Sequence, residues 1–229
     1  MPEFLPLSAF RQGLLPEDCR SCAWWLTTEG SSSLGEVEAA GRRHEWLFDV
    51  EHSWGFAGLL AHEPVPRRGG GSADPVVTGS IHFAPASTLP RFKVLPFPPL
   101  PPFSALLFCL KLDGDAPRWA AKRLIRHALH ELRRRGVQEV FAVAHRTGAG
   151  GADRPACRYF PIDLLADNGF AEVAANGDVV LMCVDNRGLI SLADHVESAL
   201  RRIFSREEEP APSPVIWAGS GAGPEQGGS

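Results

Sequence analysis

The sequence lacks the excess of positive charge that binding to nucleic acid normally requires. Its 229 residues include 23 lysines and arginines against 27 aspartates and glutamates, a formal net charge of -4. Nucleic-acid-binding domains usually concentrate a basic excess on one face or stripe. The composition therefore predicts a protein that does not bind nucleic acid.

Long apolar runs are also absent. The longest, Ala105 to Leu110, is far shorter than the roughly 20 residues needed to span a bilayer. The first ten residues, MPEFLPLSAF, have neither the basic segment nor the long apolar core of a secretory signal. We expect no membrane contact and no export, and hence a cytoplasmic protein.

Cysteine is too scarce, at five residues, and odd in number for a disulfide framework. Cys19 and Cys22 form a Cys-x-x-Cys pair, which leaves two chemical alternatives open. Zinc would need two further ligands, and no second such pair or matched histidine pair follows. A redox pair would open a helix after a strand, whereas this one precedes Trp24 and Trp25. We predict no metal site and interpret the pair as packing thiols.

What the sequence does contain is enough apolar material for one folded domain. Hydrophobic residues make up 44% and charged residues 22%, which is ordinary for a globular protein. We predict a domain over residues 1–205 and a disordered tail over 206–229, rich in Glu, Pro, Gly and Ser. The tail holds one apolar triplet, Val215 to Trp217, which fits either a disordered remnant or a docking segment. A flexible loop is predicted from Pro64 to Pro75.

Hydrophobic periodicity predicts an α/β fold with a mixed central sheet and helices on both of its faces. The predicted helices span residues 35–52, 118–135, 160–168 and 191–204, and the predicted strands 56–60, 76–83, 105–112, 137–144, 170–173 and 179–185. Helix 35–52 is expected to bury Val37, Trp46, Leu47 and Val50 on one face. The last two strands are expected to form a hairpin across Asn176-Gly177.

Residues 105–145 form a predicted β–helix–β unit. The segment ALLFCLKL is almost continuously apolar, as in a strand buried on both faces. The following helix has an apolar stripe and ends before Gly136, a residue typical of helix C-termini. Strands joined through a helix within one sheet are expected to be parallel.

The order of these elements and their motifs resembles the GNAT N-acetyltransferases. A strand is followed by a helix ending in RRGV, a second strand and the segment DLLADNGF. The chain also resembles a bacterial GNAT subgroup with a Cys-x-x-Cys-x-x-Trp segment. The matching features are Cys19, Cys22 and Trp25, then Trp46, Trp54-Gly55, the segment HFAPASTLPRF at 82–92, a Pro-rich lead into the central strand, and Cys157.

The resemblance implies an acetyl-CoA-dependent transfer of an acetyl group to an unknown amine. In this family the central strand diverges from its neighbour and its backbone holds the pantetheine arm, while a helix N-terminus binds the pyrophosphate. The amine attacks the thioester directly, assisted by a base and an acid. Carried onto this chain, the cofactor-binding residues are Leu110, Leu112, Arg118, Trp119, Ala120, Ala121, Lys122 and Arg123.

The chain departs from the family pattern at two places. The glycine-rich loop positions hold Ala116, Trp119 and Ala121, and Trp119 is expected to obstruct the approach of phosphate to the backbone. Arg118, Lys122 and Arg123 offer side-chain charge instead. The usual acid tyrosine is replaced by Leu165, which leaves the only tyrosine, Tyr159, as a substitute acid.

His145, at the end of its strand, is the candidate base. Two hypotheses follow: an active N-acetyltransferase with an altered loop, and an inactive GNAT-fold scaffold or binding module for a protein partner that no longer binds acetyl-CoA. The resemblance further implies a homodimer formed through the last hairpin.

Overall fold

A computed structural model of the chain describes residues 3–29, 34–63, 75–114, 116–146 and 158–187. Several sequence predictions lie outside these ranges. They are Cys157, most of the loop at 64–75, the helix at 191–204 and the tail at 206–229 with its domain boundary.

The described strands form one mixed sheet. They are β1 Glu3–Pro6, β2 Gly58–Glu63, β3 Val76–Ala84, β4 Ala105–Leu112, β5 Glu139–His145, β6 Phe160–Pro161, β7 Ala171–Asn176 and β8 Val179–Asp185. Their order in the sheet is β1-β2-β3-β4-β5-β8-β7, and β6 also pairs with β5. β4 and β6 run parallel to β5, and the other neighbours are antiparallel.

The predicted parallel pair and the predicted hairpin are both confirmed. β4 and β5 are parallel, and β7 pairs with β8 across Gly177, whose φ is +59°. The sequence does not predict β1 or β6. Both are too short to show a period and each contains a proline, a residue depleted in strands.

Helices cover both faces of the sheet, as predicted. They are α1 Glu17–Arg20, α2 Glu36–Ser53, α3 Pro90–Lys93, α4 Arg118–Arg134 and α5 Ile162–Ala166, with short 3-10 helices at Ala9–Leu14, Trp24–Leu26 and Ala86–Thr88. Side chains alternate along each strand. On β4, Ala105 and Leu107 pack in the core beneath α4 and α5, whereas Leu106 and Phe108 pack in the core beneath α2 and the N-terminal segment.

α4 confirms its predicted stripe, since Ala121, Leu124, Ile125, Ala128 and Leu132 are all buried. Gly136 follows the helix with a φ of +78°, the left-handed conformation that glycine adopts most readily.

The prediction that Val37 is buried on α2 is wrong, because its side chain is 88% exposed. Val37 lies nine residues before Trp46, about two and a half turns along the helix and therefore on the opposite side. Ala39 and Arg43 take its place on the buried face.

Candidate functional site

The two central strands separate after a short paired stretch. β4 and β5 pair only from Ala105 to Leu107, opposite Val140 to Ala142. Further along, Ala144 and His145 of β5 pair with β6. β6 therefore occupies the edge of β5 that β4 leaves, and β4 continues alongside β3 alone. The result is an opening between β4 and β5 beyond Leu107.

A bulge in β4 marks the start of this opening. Ser80 of β3 lies opposite Lys111, and His82 lies opposite Phe108, so β4 contains one extra residue between these pairs. Cys109 has a φ of +51°, an unusual value for a residue with a side chain. Such bulges change the direction in which the backbone groups of a strand point.

The two cations at the start of α4 are paired with α5. Arg118 contacts Asp163 at 2.6 Å and Asp167 at 2.9 Å, and Lys122 contacts Asp167 at 2.9 Å. Hydrogen bonds from Lys122 and Arg118 hold the pKa of Asp167 below its usual range. The ion pairs of Asp167 therefore persist at neutral and mildly acidic pH, and all three contacts link α4 to α5 and the residue that follows it.

The other predicted cofactor residues lie elsewhere around α4. Trp119, Ala120, Arg123 and Leu112 line a separate cavity of about 300 Å³ that also contacts β1, β2 and β3. Trp119 is 59% exposed there, and Ala121 is buried in the core at 4%. Leu110 packs against the same core. The structure thus divides the eight residues between the ion pairs with Asp163 and Asp167, the cavity of about 300 Å³, and the core.

The candidate base and acid lie near each other in the sheet. His145 ends β5 and lies in register with Pro161 of β6 and Val179 of β8. Tyr159 directly precedes β6, and its ring packs edge-on against Trp25 with 6.3 Å between the ring centroids. Leu165 is completely buried in the core, so this position supplies no acid.

No protein-family model matches the sequence, and no curated protein sequence matches it. Solved structures do resemble it. One is the PaiA N-acetyltransferase of Thermoplasma acidophilum in complex with coenzyme A, with a TM-score of 0.50 and 17% identity over 81% of this chain and 99% of that one. Another is YncA, a putative acetyltransferase of Salmonella typhimurium with acetyl-CoA, with a TM-score of 0.51 and 13% identity over 81% of this chain and 94% of that one. The chain has the GNAT fold.

On this GNAT fold, the N-terminal segment and α3 build a second cavity that sequence reasoning missed. Its volume is about 140 Å³, and it is lined by Trp24, Arg91, Arg158, Tyr159 and Val179. We call it the Trp24 pocket. Trp24 lies within the Cys-x-x-Cys-x-x-Trp segment and Arg91 within the segment at 82–92, but no pattern in the sequence indicates that the two side chains line one cavity.

The same face of the GNAT sheet contains a buried arginine that was also missed. Arg43 of α2 is 3% exposed. It donates hydrogen bonds to the backbone oxygen of Cys22 at 2.9 Å and to Nδ1 of His82 at 2.9 Å. The backbone of the Cys-x-x-Cys segment therefore positions a core side chain, which agrees with a packing role for this segment.

Neither chemical alternative for the cysteine pair finds support in the described residues. Cys19 and Cys22 are present as thiols. Within the described ranges, no three His, Cys, Asp or Glu side chains are arranged to hold a metal ion. None of the described helices is both long and apolar enough to cross a bilayer.

Proposed function

We propose that this protein is an N-acyltransferase that binds acetyl-CoA along β4 and transfers the acetyl group directly to an amine. The observation that carries the proposal is the divergence of β4 from β5 after Leu107, at the Cys109 bulge. Backbone groups on this edge of β4 can pair with the amides of a pantetheine arm, as a further strand would. An N–H at the bulge can stabilise the developing oxyanion of the thioester.

The transfer forms a nitrogen–carbon bond and breaks the carbon–sulfur bond. His145, at the end of β5 beside the opening, is our candidate to accept the proton of the attacking amine. Tyr159 is our candidate to donate a proton to the departing thiolate. Acetyl-CoA supplies the activated acyl group, and both structural relatives described above were solved with coenzyme A or acetyl-CoA.

Phosphate binding at the start of α4 depends on an exchange of partners. Arg118 and Lys122 can bind the pyrophosphate only if they release Asp163 and Asp167. Trp119 is 59% exposed and lines the larger cavity together with Ala116 and Pro117, which precede α4, so the expected obstacle to phosphate at the start of this helix remains. We therefore propose that the α5 carboxylates compete with the cofactor for these two cations.

The second candidate function is a GNAT-fold binding module without a cofactor. The ion pairs between α4 and α5 favour it, because they already neutralise the cations that would hold a pyrophosphate. The buried Leu165 favours it as well, since the acid position of the family is apolar here.

Titration calorimetry of the full chain with acetyl-CoA separates the two candidates. We expect the wild type to bind acetyl-CoA and Arg118→Gln to bind it about 10-fold more weakly. The double variant Asp163→Asn, Asp167→Asn should bind it about fivefold more tightly, because the double variant lacks the competing charges. Asp49→Asn, which removes an exposed carboxylate from α2, is the matched control and should bind as the wild type does. If the wild type and the double variant are folded and neither binds millimolar acetyl-CoA, the protein is not an acetyl-CoA-dependent transferase.

A further inference from the structure

The Trp24 pocket contains buried hydrogen-bond donors that have no acceptor. Nε1 of Trp24, Nε of Arg91 and Nε of Arg158 are all buried, and none has a hydrogen-bond partner among the described residues. A buried donor without a partner is destabilising, so three around one small cavity call for an acceptor that fills it.

The pocket also concentrates positive charge. The guanidinium carbons of Arg91 and Arg158 lie 4.2 Å and 3.8 Å from the centre of the Trp24 ring. They are therefore no more than about 8 Å apart, close enough to repel each other. Neither arginine forms an ion pair with a carboxylate in the described part of the chain. Arg91 donates one terminal N–H to the backbone oxygen of Thr28, which leaves its charge uncompensated.

The volume and the lining of the Trp24 pocket limit the ligands that it can bind. A cavity of about 140 Å³ is smaller than the roughly 300 Å³ or more of drug-sized ligand sites, yet it has room for a carboxylate or phosphate group and a few water molecules. Guanidinium groups match the geometry of both oxyanions. The described residues that line the pocket include no carboxylate that would repel an anion.

The pocket lies beside the opening between β4 and β5. Val179, which lines the pocket, is in register with His145. Tyr159, also in the lining, directly precedes β6. Trp25 packs against both Tyr159 and Phe108, with ring centroids 6.3 Å and 5.7 Å apart, and Phe108 precedes the bulge at Cys109. A group held in the pocket is thus close to the place where the acceptor amine would attack.

We infer that the Trp24 pocket binds a small oxyanion and, resting on the acyl transfer proposed above, that it recognises an acceptor amine carrying a carboxylate or phosphate group. Arg91, Arg158 and Trp24 bind the oxyanion and so position the amine toward the opening. The recognised substrate class is a small anionic amine, and the pocket has a binding function of its own that does not require acetyl-CoA.

Binding of the anion alone is measured first, on the full chain and without cofactor. Sodium acetate and sodium phosphate are titrated against sodium chloride at equal ionic strength, with calorimetry and thermal unfolding as readouts. We expect at least one of the two anions to bind and to raise the unfolding temperature, and the stronger of the two identifies the group. Arg158→Gln and Arg91→Lys should weaken binding about 10-fold, the scale of one charge-assisted hydrogen bond.

Two further variants guard against a general loss of folding. Trp24→Phe keeps an aromatic ring but removes the Nε1 donor, so it should weaken anion binding while preserving the fold. Arg126→Gln removes the same charge from an exposed position on α4 and should bind as the wild type does. Equal binding by the wild type and Arg158→Gln, or no binding of either anion by the folded wild type, would overturn the inference.

Transfer assays then test the acceptor class. With acetyl-CoA, primary amines carrying a carboxylate or phosphate should react about 10-fold more efficiently than the same amines as esters, and Arg158→Gln should remove this preference. A preference that survives in Arg158→Gln contradicts the assignment of the pocket to the acceptor. If the anion binds but acetyl-CoA does not, the proposed acyl transfer is wrong and the anion site is confirmed, so the two proposals can be contradicted separately.

Discussion

At the scale of single residues, a buried arginine and histidine join the N-terminal segment to the sheet. Arg43 donates to Nδ1 of His82, which therefore acts as an acceptor and must be neutral. Burial and the charge of Arg43 both hold the pKa of His82 well below its usual value. The backbone oxygen of Cys22 is the other acceptor for Arg43. The two terminal nitrogens of Arg43 are satisfied in this way, which lowers the cost of burying its charge, whereas its Nε has no partner among the described residues.

This pair predicts how stability depends on pH. Unfolded chains protonate His82 below about pH 6.5, whereas the folded chain keeps it neutral. The contribution of His82 to the free energy of unfolding should therefore be constant above about pH 7 and should fall as the pH drops from 6.5 to 5, by up to about 1.4 kcal/mol per pH unit. Urea unfolding at a series of pH values measures this slope.

The same experiment on His82→Gln should show a smaller slope, because the titrating group is gone. His44→Gln removes an exposed histidine from α2, next to Arg43, and should keep the slope of the wild type. An unchanged slope in His82→Gln would mean that His82 is not held neutral in the folded protein.

At the scale of elements, the bulge in β4 lies where this strand stops pairing with β5. An unbroken β4 would be free to follow β5 along its whole length, and the opening would close. The bulge requires Cys109 to adopt a left-handed backbone conformation, which costs a non-glycine residue about 1–2 kcal/mol. The fold thus retains a strained residue where the proposed chemistry needs a changed backbone direction.

Replacement of Cys109 by valine tests this conformation. Valine is close in size to cysteine, but β-branched residues tolerate the left-handed region least, so Cys109→Val should lower the free energy of unfolding by about 1–2 kcal/mol. Cys183→Val is the matched control, since Cys183 lies in the regular strand β8 and is also partly buried. We expect a change of less than about 0.5 kcal/mol there, where a β-branched residue suits the strand. If urea unfolding shows that the two variants lose equal free energies of unfolding, the left-handed conformation of Cys109 is contradicted.

At the scale of the whole molecule, β7 is the last strand on one side of the described sheet. Among the described strands β7 pairs only with β8, and Val173 on it is 53% exposed. An open strand edge is a ready site for pairing with a second copy of the chain. We therefore keep the proposal of a homodimer formed through the β7–β8 hairpin, with two β7 strands adjacent across a two-fold axis.

Sedimentation equilibrium tests this proposal. The wild type should be dimeric, and Val173→Lys should be monomeric because it places a charge at the centre of the interface. Val76→Lys alters a valine that is 61% exposed on a strand with neighbours on both sides, so that variant should remain dimeric. A wild type that is monomeric at all concentrations would rule out the homodimer.

Much of the fold could be predicted from the sequence. Strands β3, β4 and β8 and helices α2 and α4 were predicted within a residue or two, because each is long enough to show a hydrophobic period or a continuous apolar run. β1 and β6 were missed because pairing with β2 and β5, and no local pattern, makes them strands. Val37 was misplaced because its spacing from Trp46 puts the two side chains on opposite sides of the helix.

For the candidate site, the sequence is enough to predict which groups are available: the unit of β4, α4 and β5, the basic start of α4, His145, Tyr159 and the apolar Leu165. Where their partners lie follows only from the folded chain. It pairs Arg118 and Lys122 with Asp163 and Asp167, exposes Trp119 in the cavity beside β1, β2 and β3, and joins Trp24, Arg91 and Arg158 around one pocket. These contacts join residues distant in the chain, and no local period or spacing records them, because they form only when the sheet brings its helices and loops together.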